Sequence, residues 1–182
     1  MSATDNQPEN KNFLSPLGFK FSIKRTPHVN WFLQTIQIPG ISLARTDVSN
    51  PFSKFPVGGD HLEYGNIGIT FRIDEDMANY LELYNWINAI GFPDNFDQYK
   101  EVAPVNRRGL GGTASTARGE GLYSDGSLTI LSSAKNANIS IQIYDMFPIA
   151  LSQLDFNTQL TNVNYLVGSA TFACRRFQVS KL

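Results

Sequence analysis

Apolar and polar positions alternate along much of this chain. Phe19, Phe21 and Ile23 alternate with Lys20, Ser22 and Lys24, and Ile67, Ile69, Phe71 and Ile73 with Gly68, Thr70 and Arg72. Ile139, Ile141 and Ile143 alternate with Ser140, Gln142 and Tyr144. Successive side chains of a strand point to opposite faces, so a period of two predicts strands with one buried face. Residues 29–38 and 41–48 read as two further strands, parted at Pro39-Gly40, where proline removes a ladder donor. Residues 127–133 read as another. A last long strand over 164–179 sets Leu166, Ala170, Phe172 and Cys174 on one face but leaves Phe177 and Val179 out of phase. One extra residue near Arg175-Arg176 restores the pattern, which predicts a bulge or an edge there.

Helical spacing occurs once, in Met77, Tyr80, Leu81, Tyr84, Ile87 and Ile90, with Gly91 placed where a helix stops. Seven strands and one helix predict a mainly β fold of packed antiparallel sheets, sandwich- or barrel-like, with one flanking α-helix. The expected layout is a polar, flexible arm over residues 1–13 and one domain over 14–182, with a long loop at 92–126. That loop contains NRRGLGGTASTARGEGLYSDG. Loops of such length without secondary structure are uncommon in compact domains and usually bind something or stay disordered.

The stretch IDEDMANYLELYNWI poses the question of chemistry. Three acids stand together where a strand meets the helix. Asp74 can cap free amides there, and Glu75 and Asp76 fall in the expected first turn, where the helix dipole favours negative charge by about 0.3–1 kcal/mol each. A calcium loop needs alternating oxygen ligands and a central glycine, but the chain continues Met77-Ala78-Asn79. Glu63 and Asp74 are the one pair of acids that could be tried as facing glycosidase carboxylates, with nothing in the spacing to support it. His28 and His61 are isolated, and zinc ordinarily takes three or four protein ligands. Cys174 lies mid-strand on an apolar face and reads as a buried, inert thiol. No G-x-S-x-G elbow is present, and GLGGT lacks both the Gly-Lys-Ser/Thr ending and the βαβ setting of a phosphate loop. No catalytic, cofactor or metal residue is assigned.

Composition narrows the partners. The 182 residues include 15 basic and 16 acidic side chains, a net charge of −1 that offers no electrostatic case for wrapping nucleic acid. One cysteine excludes an internal disulfide framework. No apolar run reaches the roughly 20 residues of a membrane helix. The polar opening MSATDNQPENKN reads as that of a protein made in the cytoplasm.

Three segments taken in order resemble the tail-tube proteins of contractile-tailed bacteriophages. GFKFSIKR…VNWFLQTIQIPGISL is similar to the family's opening, a strand followed by a second strand ending in a proline-glycine turn. FPVGGDHLEYGNIGITFRIDEDMANYLELYNWI resembles its middle, with a glycine turn, a long strand, an acidic helix start and a tryptophan near the helix end. NISIQIYDMFPIALSQLDFNT…NYLVGSATFACRRFQV resembles its close. The likeness spans about residues 13–179.

The resemblance implies a tail-tube fold and homohexameric rings that stack into a conduit for DNA, which passes without specific binding. A sheath surrounds the tube, baseplate or neck proteins meet its ends, and the location is the virion tail. It implies no enzyme, no cofactor and no membrane. The arm and the 92–126 loop depart from the family pattern and become inter-subunit segments, with Arg107, Arg108, Arg118 and Glu120 as the loop's contact residues. Thr70, Ser140 and Gln142 become lumen-facing. Alternative readings are a tube initiator or terminator ring, a monomeric ligand-binding β-sandwich using the glycine-rich loop and, more remotely, a hydrolase.

Overall fold

The computed structural model describes residues 11–91, 122–159 and 165–182. Its elements, in order, are β1 (Phe19–Ile23), α1 (Pro27–Phe32), β2 (Leu33–Gln37), β3 (Ile41–Ser49), β4 (Lys54–Tyr64), β5 (Ile67–Arg72), α2 (Ala78–Gly91), β6 (Ser124–Leu131), β7 (Ala137–Leu151), β8 (Val167–Ala173) and β9 (Arg176–Lys181). The fold is mainly β, with antiparallel sheets, as the alternation predicts. Two helices flank them rather than one.

Seven strands form a folded sheet in the order β1-β6-β7-β8-β5-β2, with β9 also paired to β7. β7 belongs to two layers. Its Ile139–Tyr144 half pairs with β6 on one side and β9 on the other, and its Phe147–Leu151 half pairs with β8. The fold between the halves lies at Asp145, whose φ is +52°. The apolar positions change phase at that residue: Ile141 and Ile143 point inward before it, and Met146 and Pro148 after it. One residue in the left-handed region is thus inserted, and both halves of β7 keep their apolar side against the core.

The chain turns the same corner a second time. β8 ends at Ala173 in the second layer, and β9 starts at Arg176 in the first. This is the irregularity expected near Arg175-Arg176, and it is a change of layer. Arg175 N–H donates to the Tyr144 carbonyl at 3.2 Å, and its guanidinium lies 3.3 Å from the Asp145 carboxylate.

The core collects Phe21, Ile23, Leu128, Ile141 and Ile143 from the first layer and Ile67, Ile69, Phe71, Ala170 and Phe172 from the second. Val29 and Leu83 come from the helices, together with Trp86. Trp86 packs at 6.0 Å from Phe172 and donates from Nε1 to the Leu122 carbonyl at 2.6 Å.

Two local expectations are corrected. Residues 27–32 form a helix where a strand was expected from residue 29. Pro27 at the first helical position presets φ. Asn30 then folds back, accepting from Ile23 N–H at 2.8 Å and donating to the Ile23 carbonyl at 2.9 Å. The buried face of α2 is Asn79, Leu83, Trp86 and Ala89. Leu81 and Tyr84, placed on the buried stripe by sequence, are exposed.

Among the described residues β3 and β4 form a separate two-stranded ribbon, paired only with each other. The segment 54–64, to which sequence assigned no strand, is one eleven-residue strand. Three residues of it, Gly59, Asp60 and His61, stand opposite Ala44 alone, where the register shifts. A Cβ on Gly59 would meet the Ala44 carbonyl oxygen at 2.7 Å, so the bulge needs glycine there. At the tip, Asn50 Oδ1 accepts from Phe52 and Ser53 N–H at 2.9 and 2.7 Å, and Asn50 N–H donates to the Ser53 carbonyl at 2.9 Å. The turn is closed by its own side chain.

Candidate assembly surfaces

The acids are placed by the turn that precedes α2. Met77 N–H donates to the Asp74 carbonyl at 3.0 Å, and Met77 takes a left-handed φ of +54°. Asp74 Oδ1 then accepts from Asn79 N–H at 3.4 Å, inside the first turn of the helix. Glu75 and Asp76 lie in the preceding turn, exposed, and not in the first helical turn where sequence placed them. Glu63 is exposed on the ribbon, on β4, with no facing acid across it: its partner is Ser42. Among the described residues no three His, Cys, Asp or Glu side chains gather as a metal site.

His28, at the start of α1, meets Glu82 of α2 at 2.5 Å. The hydrogen bond and then the charge of Glu82, with a lesser pull from Asp74, raise the His28 pKa. Thr26 Oγ1, Asn79 Oδ1 and the second Glu82 oxygen are buried without a protein partner on the helix segments around this contact. His61 is exposed on β4. Cys174 is half-buried at the layer corner, and burial pushes its thiol up, away from the reactive thiolate.

An open cleft of about 440 Å³ is lined by Lys24, Arg25, Tyr123, Ser124, Asp125 and Asp145. Asp125 bridges Lys24 at 3.7 Å and accepts from Asp145 N–H at 3.2 Å, and Asp145 holds Arg175. Both acids therefore already serve the corner.

The two layers present polar outer faces. On the first, the register sets Lys20 and Ser22 beside Thr129 and Ser127, these beside Ser140 and Gln142, and these beside Ser180 and Gln178. Part of this face is bonded within itself. Ser22 and Ser127 hydroxyls are 2.8 Å apart, Gln142 Nε2 donates to Ser140 Oγ at 3.1 Å, and Ser180 Oγ donates to the Ser140 carbonyl at 3.2 Å. Charge is confined to the borders, at Lys20, at Lys24 with its partner Asp125, and at Arg176, whose guanidinium lies 4.6 Å over the Tyr144 ring.

Ser140 and Gln142 are thus neighbours, with Gln142 exposed and Ser140 covered beneath it. Thr70 is not with them. It lies on the outer face of the second layer, opposite Ser169 and hydrogen-bonded to Thr35. The loop residues Arg107, Arg108, Arg118 and Glu120, and the first ten residues of the arm, lie outside the described residues.

The ribbon is the surface that sequence reasoning missed. Ile41, Leu43, Val48, Phe55, Val57 and Leu62 are each at least half exposed along it. Sequence placed a strand at 41–48 but none at 54–64, so the pairing of the two was not seen. Among the described residues the sheets are also open at β1, β2 and β9, each paired along one edge only. Among the described residues, no helix is long and apolar enough to cross a membrane.

No family model matches the sequence, and neither does any curated protein. Solved structures do match in fold. A chain of the tube-terminating cap of the anti-feeding prophage superposes with a TM-score of 0.60 over 100% of both chains at 11% identity. A chain of the sheath–tube complex of an extracellular contractile injection system, PVC, in its extended state gives 0.59, at 14% identity over 100% of this chain and 99% of that one. A chain of the anti-feeding prophage baseplate gives 0.56, at 8% identity over 94% of this chain and 97% of the other. The chain has the fold of tube-related proteins of contractile systems.

Proposed function

We propose that this chain is a structural subunit of a contractile-tail tube, forming hexameric rings that stack into a conduit inside a sheath. The reading rests on one observation: over 94–100% of its length the chain matches in fold chains of tube, cap and baseplate assemblies. Two features of the molecule support it. Its sheets end in open edges at β1, β2 and β9, which a closed ring covers with the next subunit and a monomer leaves as a pairing hazard. Its ribbon displays apolar side chains that are at least half exposed among the described residues.

In this reading the first layer's outer face is the conduit wall. Ser140 and Gln142 line it with Ser22, Ser127, Thr129, Gln178 and Ser180, whereas Thr70 lies on the other layer and away from the lumen. A wall of hydroxyls and amides already bonded to one another offers a passing polyanion few free donors and few cations, so DNA moves without being held. Arg107, Arg108, Arg118 and Glu120, with the arm, meet neighbouring subunits. The subunit does no chemistry and takes no cofactor. Sheath and baseplate or neck proteins are its other partners, in the tail of a virion made in the host cytoplasm.

A second reading, a cap or terminator that forms one ring at a tube end, is favoured by the full-length likeness to the tube-terminating cap and by a TM-score of 0.59 with a sheath/tube terminator chain. Electron microscopy of the purified protein over a concentration series separates the two. Long self-assembled tubes support the repeating subunit, isolated rings support the cap, and a monomer at every concentration removes both.

A further inference from the structure

Three buried oxygen atoms between α1 and α2 meet no hydrogen-bond partner among the described residues: Thr26 Oγ1, Asn79 Oδ1 and one carboxylate oxygen of Glu82. Thr26 and Asn79 are 1% and 0% exposed as whole residues. The chain lays the three along one strip. Arg25 stands over the Trp86 ring and His28 meets Glu82, so the stretch leading into α1 runs along α2 with Thr26 between those two contacts. On α2, Asn79 precedes Glu82 by three residues and Trp86 follows it by four, which makes them neighbours on the helix surface.

The rest of each side chain is already engaged. Asn79 Nδ2 donates to the Arg72 carbonyl at 2.7 Å, which fixes the amide and leaves Oδ1 as its open end. The other Glu82 oxygen is held by His28. Thr26 occupies the N-cap position of α1, yet its hydroxyl makes no capping bond, the ordinary use of a threonine there. Burying an acceptor without a donor is costly, more so for a carboxylate. Asn79 Oδ1 and the Glu82 oxygen only accept, whereas the Thr26 hydroxyl also has one proton to give.

A partner that meets all three gives two protons and accepts one, which is the inventory of one water molecule. We infer that Thr26, Asn79 and Glu82 form a binding site for a single internal water, which donates to Asn79 Oδ1 and Glu82 and accepts from the Thr26 hydroxyl. The water locks the approach to α1 onto α2 and, through Asn79, onto the end of β5. A metal cation suits these oxygens less well. Asn79 lies in the first turn of α2, where the helix dipole opposes positive charge, and the Arg25 and His28 side chains already flank the strip. The one further acid beside it, Asp74, accepts from Asn79 N–H.

The test is a crystal or electron-microscopy map of the full chain, in whatever assembly it forms, fine enough to place ordered water. One peak within hydrogen-bond reach of all three atoms is expected. Thr26→Val removes the hydroxyl at nearly constant volume and is expected to lose the peak and to lower the thermal midpoint by about 2–6 °C. Midpoints of the parent in sodium, potassium and calcium chloride at matched ionic strength are expected to agree. A parent map with the three side chains ordered and no peak between them overturns the site, as does a Thr26 hydroxyl bonded directly to Glu82. A midpoint that rises with one cation and loses that rise in Thr26→Val also overturns it, in favour of a metal. Should the variant fail to fold, the parent map decides alone. The site stands or falls apart from the tube reading.

Discussion

Trp86 joins parts of the chain that are far apart in sequence. Its ring packs on Phe172 of β8 and lies 5.4 Å beneath the Arg25 guanidinium, and its N–H reaches Leu122. Trp86→Ala leaves a large cavity and is expected to cost about 3–5 kcal/mol. Trp86→Phe keeps a ring but orphans the Leu122 carbonyl, for about 1–3 kcal/mol. Urea unfolding of the dispersed subunit measures both. His28 adds a pH dependence. Glu82 raises its folded pKa, so its contribution to stability is fully present below the unfolded pKa and is lost as pH rises through the folded one. The gap in thermal midpoint between the parent and His28→Gln is expected to narrow across that range, and a gap constant with pH would count against the pairing. At this scale the sequence was readable in part. The acids at 74–76 were legible as the approach to a helix, but the left-handed Met77 was not, and it moves the helix start beyond Glu75 and Asp76.

At the level of elements, a break in alternation proved as informative as alternation itself. The phase slip between Cys174 and Phe177 could be seen in sequence because aliphatic and aromatic residues flank it on both sides. It marks the place where the chain changes layer. The ribbon was harder to see, because no single period runs through it. The segment at 27–32 hid a helical turn in strand-like residues, with Thr26-Pro27 as the one available cue. Gly59 gives the element its own test. Gly59→Ala forces a Cβ into the Ala44 carbonyl, so the ribbon amides are expected to lose hydrogen-exchange protection while those of β5 and β8 keep theirs. Equal loss in both would show that the ribbon is not an independent unit.

For the molecule as a whole, the balance of one excess negative charge over 182 residues matches a polar face with cations only on its borders. Assembled protein is therefore expected not to retain duplex DNA at about 0.15 M salt in a filter or mobility assay, where surface charges more than about 8 Å apart are screened. Retention would place a cationic surface where the wall is proposed. The mainly β fold was legible because each core strand reports its buried face in its own letters. The candidate assembly surfaces were less legible, because local periodicity records only what a residue meets within its own chain.

The sharing of β7 has a mechanical consequence. Its main chain runs uninterrupted from one layer into the other, and the bend at Asp145 is braced by Arg175 from the returning strand. The two walls of the subunit are then stitched by one ribbon of covalent bonds, with no flexible link between them. A load on one layer reaches the other directly, and the layers cannot slide past each other unless that bend gives way.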